Sequence, residues 1–379
     1  MKAYQNEQPE LHLFIIWNNG ESYKERILND IASRFSIKLT KKITWKKELF
    51  TQSLRRFYGK NLPANSNKEN ECGIGSFIIA VVEDKAPIYA PRRTNQGVKI
   101  VNVNMFDSKE MYRKWAKSNV IHATNSIIEA NHDITLLLGI SPADMYDNGF
   151  NIKTKDDKID LAGAEGWESI EQMFYILNHT VQYVILRNFE NLPHSIDYGE
   201  HSDIDILCEN IDVTKLVLNS SNSTNQKARV QQIVKIENKT VNIDLRHIGD
   251  GYLDDNWEKS ILVNRVFNTN GFYMPDKENY LYSMIYHALI QKSVVSCDYV
   301  SRTKELCNSL GIKDIDLSDE ENALIELNAF LLNKKYKVVE PKDPTVAYNY
   351  YKLNGPASIL RKWYKLKKDV KLLIKGRMA

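Results

Sequence analysis

The chain has 379 residues, a formal net charge of +3, 43% hydrophobic residues and 10% aromatic ones. Such a length exceeds one typical domain, and such an apolar content excludes a disordered chain. No apolar run reaches the roughly eighteen residues a membrane-spanning helix needs. The opening, Met1–Glu10, is polar, and Cys72, Cys208, Cys297 and Cys307 are far apart with no metal-finger spacing. Together these fit a reducing cytoplasm and free thiols.

The first 145 residues read as an α/β domain. The apolar run His12–Trp17 predicts a strand, and the spacing over Tyr23–Phe35 predicts a helix. Strands are expected at Ser36–Trp45 and Ser76–Glu83, then a helix at Met105–Trp115. After the short segment Ser118–His122, an amphipathic helix over Ser126–Leu138 is capped by Asn125 or Ser126.

This order, with Asn119-Val-Ile-His-Ala-Thr-Asn-Ser126, resembles nucleoside diphosphate kinase, in which a strand end bears Asn-Ile-Ile-His-Gly-Ser-Asp-Ser. The resemblance implies a ferredoxin-type domain with His122 as a phosphohistidine. It sets Asn119 and Thr124 at phosphate-contacting positions and Asp133 where the family's Glu orients the imidazole. Neutral imidazole is a nucleophile near physiological pH, so the chemistry is reasonable. Where the kinase has Lys-Pro-Asp-Gly after its first strand, this chain has Trp17-Asn18-Asn19-Gly20, and the phosphate-binding lysine is missing. Arg92 and Arg93 are candidates for the family's arginines. The alternative is a kinase-like fold kept for packing or assembly, with His122 idle.

Residues 146–165 are turn-rich and charged, as an interdomain linker is. A central domain follows at 166–270, with a helix expected at Trp167–His179 and a strand at Val181–Phe189. The segment Glu200-His-Ser-Asp-Ile-Asp-Ile-Leu207 then sets Asp203 and Asp205 two apart in an apolar run, and Val241-Asn-Ile-Asp-Leu-Arg246 supplies Asp244. Alternate residues of a strand share a face, so the first two carboxylates project together and a neighbouring strand carrying Asp244 completes a nest of three. Such a nest repels itself without a cation, and Mg²⁺ takes carboxylates together with substrate phosphates. Solvent-facing aspartates on an edge strand remain the plain alternative. Asn238-Lys239 reads as a tight hairpin turn between strands 229–237 and 241–248. Asp250, Asp254 and Asp255 read as solvated loop residues, and Trp257 as the anchor of the next helix.

Over about residues 165–335 this pattern resembles the nucleotidyltransferase superfamily, in a branch associated with surface-polysaccharide genes. Met274-Pro-Asp276 and the helix Tyr280–Lys292 belong to the likeness. The resemblance implies a nucleotidyltransferase fold followed by a helical subdomain at 271–340, with Mg²⁺ or Mn²⁺ on Asp203, Asp205 and Asp244. It also implies a nucleotide donor. Two metals would lower the pKa of an acceptor hydroxyl and neutralise departing pyrophosphate; Asp244 is also a candidate base. The superfamily's Gly-Gly or Gly-Ser turn is replaced by Tyr183-Val-Ile-Leu-Arg-Asn-Phe-Glu190, so Arg187, Asn188, Ser202 and Arg246 become the phosphate-binding candidates. Tyr282, Tyr286 and Leu289 fall on one core-facing stripe, while His287 and Lys292 border the nucleotide cleft by family likeness. Helices are expected at 298–310 and 318–336, the second behind a Ser-Asp-Glu-Glu cap.

The tail 341–379 ends in a basic amphipathic stretch. Residues 361–379 hold eight Lys/Arg and one acid, a net +7 against −4 for the remainder. Ile359, Trp363, Leu366, Val370 and Leu373 recur at steps of four, three, four and three among the lysines, which suits an anionic membrane surface at 359–379. Docking on the protein itself or on nucleic-acid phosphates are the alternatives.

The function expected from all this is a Mg²⁺-dependent transferase. It moves a nucleotidyl or phosphoryl group to a sugar or lipid-linked glycan acceptor in surface-polysaccharide biosynthesis, at the inner face of the membrane and as a homo-oligomer. The alternatives are a toxin-like nucleotidyltransferase acting on tRNA or another macromolecule, and a non-catalytic adaptor built from two enzyme-derived folds. The mildly acidic body argues against RNA.

Overall fold

A computed structural model describes residues 4–6, 8–59, 62, 66–150, 158–194, 203–222, 231–292, 295–312, 315–359, 361–363 and 366. The chain is mixed α/β and forms two compact units. The first takes 1–181 with 212–220 and 234–240; the second takes 182–211, 221–233 and 241–379.

In the first unit, β1 (Tyr4–Gln5) precedes β2 (Glu10–Ile16), α1 (Lys24–Arg34), β3 (Ser36–Thr44), α2 (Phe50–Tyr58) and α3 (Lys68–Cys72). Then come β4 (Ser76–Asp84), β5 (Ile88–Thr94), β6 (Gly97–Asn102), α4 (Val103–Ala116), β7 (Ile121–Ala123), α5 (Ile127–Leu138), α6 (Pro142–Asp147) and α7 (Ile170–Thr180). The main sheet runs β3-β4-β2-β7, antiparallel throughout, with its first and third strands central. This is the strand order of a ferredoxin-type sheet, as expected. A second ribbon, β1-β5-β6, was not foreseen.

The core forms because β2 is buried at every position and α1 and α4 turn apolar stripes onto the sheet. Phe14, Ile27, Ile31, Val82, Met105 and Tyr112 are all buried in one cluster. Asn102 and Ser126 cap α4 and α5 by accepting backbone N–H groups three residues on. Trp17, fully buried, sits among Trp45, Phe50, Phe57, Tyr58 and Phe77, and its indole N–H donates to Tyr58 Oη at 2.9 Å. The position where the kinase family has its turn after the first strand thus feeds an aromatic core.

Along the chain, β8 (Tyr183–Ile185) and β9 (Asp203–Cys208) of the second unit are followed by α8 (Ile211–Leu218), which belongs almost wholly to the first unit, then β10 (Ser221–Asn222), β11 (Gln231–Ile236) and β12 (Lys239–His247), the last two divided between the units. The sheet order is β10-β11-β12-β9-β8. The turn joining β11 to β12 is Glu237-Asn238, one residue earlier than expected. Both have positive φ, 50° and 63°, as a primed two-residue turn requires. After α9 (Asp255–Val263), β13 (Val266–Phe267) and β14 (Tyr273–Met274), the helices α10 (Lys277–Ile290), α11 (Cys297–Leu310) and α12 (Glu320–Lys334) make the helical region. Trp257 is fully buried and anchors α9, while Asp254, expected in solvent, is buried and caps that helix. Asp319 caps α12.

Trp17→Ala removes the hub of the aromatic cluster. Unfolding of the first unit followed by intrinsic fluorescence and circular dichroism is expected to show a loss of about 3–5 kcal/mol.

Candidate active site

The second unit brings two of the three predicted aspartates together. Strands β9 and β12 pair in parallel with Asp205 opposite Asp244 and Asp203 opposite Asn242. Register fixes this: Val241, Ile243 and Leu245 are buried on one face of β12, so Asn242, Asp244 and Arg246 take the other. Asp203 and Asp205 share a face of β9 by the same periodicity.

Two arginines accompany these carboxylates. Arg187 Nη2 donates to Asp205 Oδ1 at 2.8 Å, and both side chains are buried. Asp205 Oδ2 has no hydrogen bond among the described residues. Arg246 Nη2 lies 3.9 Å from Asp244 Oδ2, and its Nη1 donates to Asp343 Oδ2 at 3.3 Å, with Asp250 at 4.0 Å. Asp250, like Asp254, is therefore buried rather than solvated. Asp205, Asp244, Asp250 and Asp343 against Arg187 and Arg246 leave a formal charge of −2.

Tyr252 supports both guanidinium groups, their Cζ atoms lying 5.5 and 4.4 Å from its ring centroid. The Tyr252 hydroxyl pairs with His287 Nδ1 at 2.7 Å. Burial disfavours the charge on Arg187, but Asp205, then Tyr252 and Tyr299, outweigh this and hold its pKa above the usual arginine value. Burial pushes the Tyr252 phenol up to about 12. His287, expected at a cleft, is a buried support whose pKa lies well below 6.5 through burial and then through Arg187. Asn188, three residues past the end of β8, is exposed at a φ of 60° and accepts from Arg302 Nη1 at 3.3 Å. Ser202 lies outside the described residues, as does the side chain of Asp203.

In the first unit, His122 Nε2 lies 2.8 Å from Asp133 Oδ2, and Phe57 and Tyr58 meet the imidazole edge-on with ring centroids 5.4 Å away. Its Nδ1 has no hydrogen bond among the described residues. The other Asp133 oxygen is taken by His132 Nδ1 at 2.9 Å. Burial raises the Asp133 carboxyl, yet the hydrogen bonds to His122 and His132 prevail and hold its pKa below the ordinary value.

Thr124 is turned to another task. Its buried hydroxyl accepts from Leu13 N at 3.1 Å and meets His12 Nδ1 at 3.0 Å, tying β2 to the end of β7. Asn119 is exposed and its carbonyl accepts from Lys68 Nζ at 2.8 Å. Arg92 forms a two-pronged pair with Asp107. Lys109 carries no distinguishing signal in the sequence. It is buried, donates to Asn125 Oδ1 at 2.6 Å, and is pushed down to about 8 by burial.

No known protein family's sequence profile matches this chain. No curated protein matches it either. Among solved structures it is similar to the nucleoside diphosphate kinase of Aquifex aeolicus in its orthorhombic crystal form, at 19% identity. That match covers 33% of this chain and 92% of the kinase with a TM-score of 0.23, a likeness too slight to bear on activity.

His287 yields a pH prediction. The unfolded imidazole takes a proton near pH 6.5 whereas the folded one resists it, so the unfolded state binds more protons and stability falls as pH drops below that value. His287→Gln keeps an acceptor for Tyr252. Urea midpoints measured between about pH 7 and 5 are expected to fall less steeply in this variant than in the wild type.

Proposed function

We propose that the second unit is a divalent-cation-dependent transferase that moves a nucleotidyl or phosphoryl group onto a sugar or glycan hydroxyl. The observation that carries this reading is the pairing of Asp205 with Asp244 on adjacent parallel strands. The donors fit a hard cation such as Mg²⁺ or Mn²⁺: they are carboxylate oxygens, the surrounding quartet of acids exceeds its two arginines by two charges, and Asp205 keeps one oxygen clear of Arg187. Asp205 and Asp244, with Asp203 by its place in the motif, are the residues to hold it. The cation, when bound, makes an acceptor hydroxyl more acidic and offsets charge on the departing phosphates.

The chain's own side chains supply the rest. Asp244 is the candidate to take the acceptor proton. Arg187 and Arg246, held over Tyr252, are the candidates for phosphate oxygens, since a guanidinium matches them as a fork. A lipid-linked acceptor at an anionic membrane surface suits the tail, where Ile359, Trp363 and Leu366 are exposed at 87%, 48% and 61% among lysines and arginines.

A second reading concerns the first unit: autophosphorylation of His122 by a nucleotide. It is favoured by the imidazole's geometry, with Nε2 held on Asp133 and Nδ1 without a hydrogen bond among the described residues. Incubation with γ-labelled ATP or GTP is expected to leave acid-labile, base-stable label on the wild type and none on His122→Asn. Equal labelling of both proteins removes this reading.

The principal reading is tested by thermal shift with Mg²⁺ or Mn²⁺ across nucleoside triphosphates and nucleotide-sugars. A cation-dependent rise of the melting temperature by mass action is expected, lost in a folded Asp205→Asn. Shifts that survive the substitution, or fail with every nucleotide, contradict the assignment.

A further inference from the structure

His122, Glu129 and Asp133 each offer one ligand atom, and these atoms lie within 4.8 Å of one another. Their clustering follows from local structure. Glu129 and Asp133 are one helical turn apart on α5, and His122 projects from β7 just before that helix begins. His122 and Asp133 are buried and Glu129 is half-buried, so this is no solvated acidic patch.

Each carboxylate is anchored by one oxygen, which leaves the other for a ligand. Asp133 Oδ1 is held by His132 Nδ1 at 2.9 Å, leaving Oδ2 beside His122 Nε2. Glu129 Oε2 accepts the backbone N–H of Asn125 at 2.7 Å, leaving Oε1. Partners of this kind around ligating groups fix ligand orientation at metal centres. The nearby Lys109 donates to Asn125 Oδ1 and to Ala123 O, 3.5 Å away, and lies over the Phe106 ring; it feels the charges of Glu129 and Asp133 without a hydrogen bond to either among the described residues. Arg113 likewise donates to Ile121 O and to Glu110.

We infer that His122, Glu129 and Asp133 form a binding site for a first-row divalent cation, Zn²⁺ foremost. One imidazole nitrogen with two carboxylate oxygens is a donor set that Zn²⁺ accepts, whereas Mg²⁺ prefers oxygen alone. Three protein ligands also leave a position open to water or to a substrate oxygen. An ion here takes His122 Nε2 and replaces its hydrogen bond to Asp133 Oδ2, leaving Nδ1 on the far side of the ring. The site is independent of the acids of the second unit and does not rest on their proposed chemistry.

The test uses the full chain, dialysed against chelator and titrated with Zn²⁺ by calorimetry and with Co²⁺ by visible absorption. Binding of one ion with intense tetrahedral-type Co²⁺ bands is expected. Glu129→Gln keeps the acceptor for Asn125 N and so preserves the helix start; it is expected to weaken Zn²⁺ at least about tenfold. His122→Asn is expected to abolish the Co²⁺ bands, while Asp205→Asn leaves them unchanged. No binding by the folded wild type overturns the inference, as does binding that neither first-unit substitution alters.

Discussion

Two negative charges on directly opposed positions of neighbouring strands are the constraint around which the second unit is built. Strands about 4.8 Å apart place such charges close enough to repel by about 3 kcal/mol at an effective dielectric of 20. The fold meets this with guanidinium groups rather than with distance. Arg187 is bonded to Asp205, and Arg246 stands beside Asp244, Asp250 and Asp343. Buried arginines in turn need support, which Tyr252 gives with its ring and His287 gives by holding the Tyr252 hydroxyl. A polar network of this kind is expensive to leave half satisfied.

The first unit pairs its buried acid with histidines rather than with arginines. Its histidine and acid meet at hydrogen-bond distance, but the residue after the first strand is Trp17, which fills space instead of carrying charge. Thr124 is spent on β2 and Asn119 faces solvent. Around the imidazole stand Asp133, Glu129, Phe57 and Tyr58, with His132 on the other oxygen of Asp133.

Much of this was legible in the sequence because it is local. Continuous apolar runs located β2 and β4, alternation located β9 and β12, Ser126 announced α5, the Ser318-Asp-Glu-Glu pattern announced α12 although the cap is Asp319, and the Asp-x-Asp spacing fixed which side chains share a face. The less visible parts depend on tertiary partners. The expected strand at 181–189 stops at Ile185, where Arg187 turns to Asp205 and Asn188 adopts positive φ; neither follows from an apolar run. Burial of Asp250 and Asp254 depends on Arg246 and on a helix cap that loop composition does not reveal. Helix α2 and the β5–β6 ribbon are hard to read because Arg55, Arg56, Arg92 and Arg93 dilute their apolar pattern, although Arg56 is buried, donating to the carbonyls of Ala162, Leu216 and Val217.

The most direct measurement is anomalous diffraction at the manganese edge from crystals grown with Mn²⁺ and a non-hydrolysable nucleotide. The account predicts a peak bridging the Asp205 and Asp244 carboxylates, with Arg187 turned from Asp205 toward phosphate. Arg187 still bound to Asp205 with no peak between the two strands, in crystals that do hold the nucleotide, would contradict it.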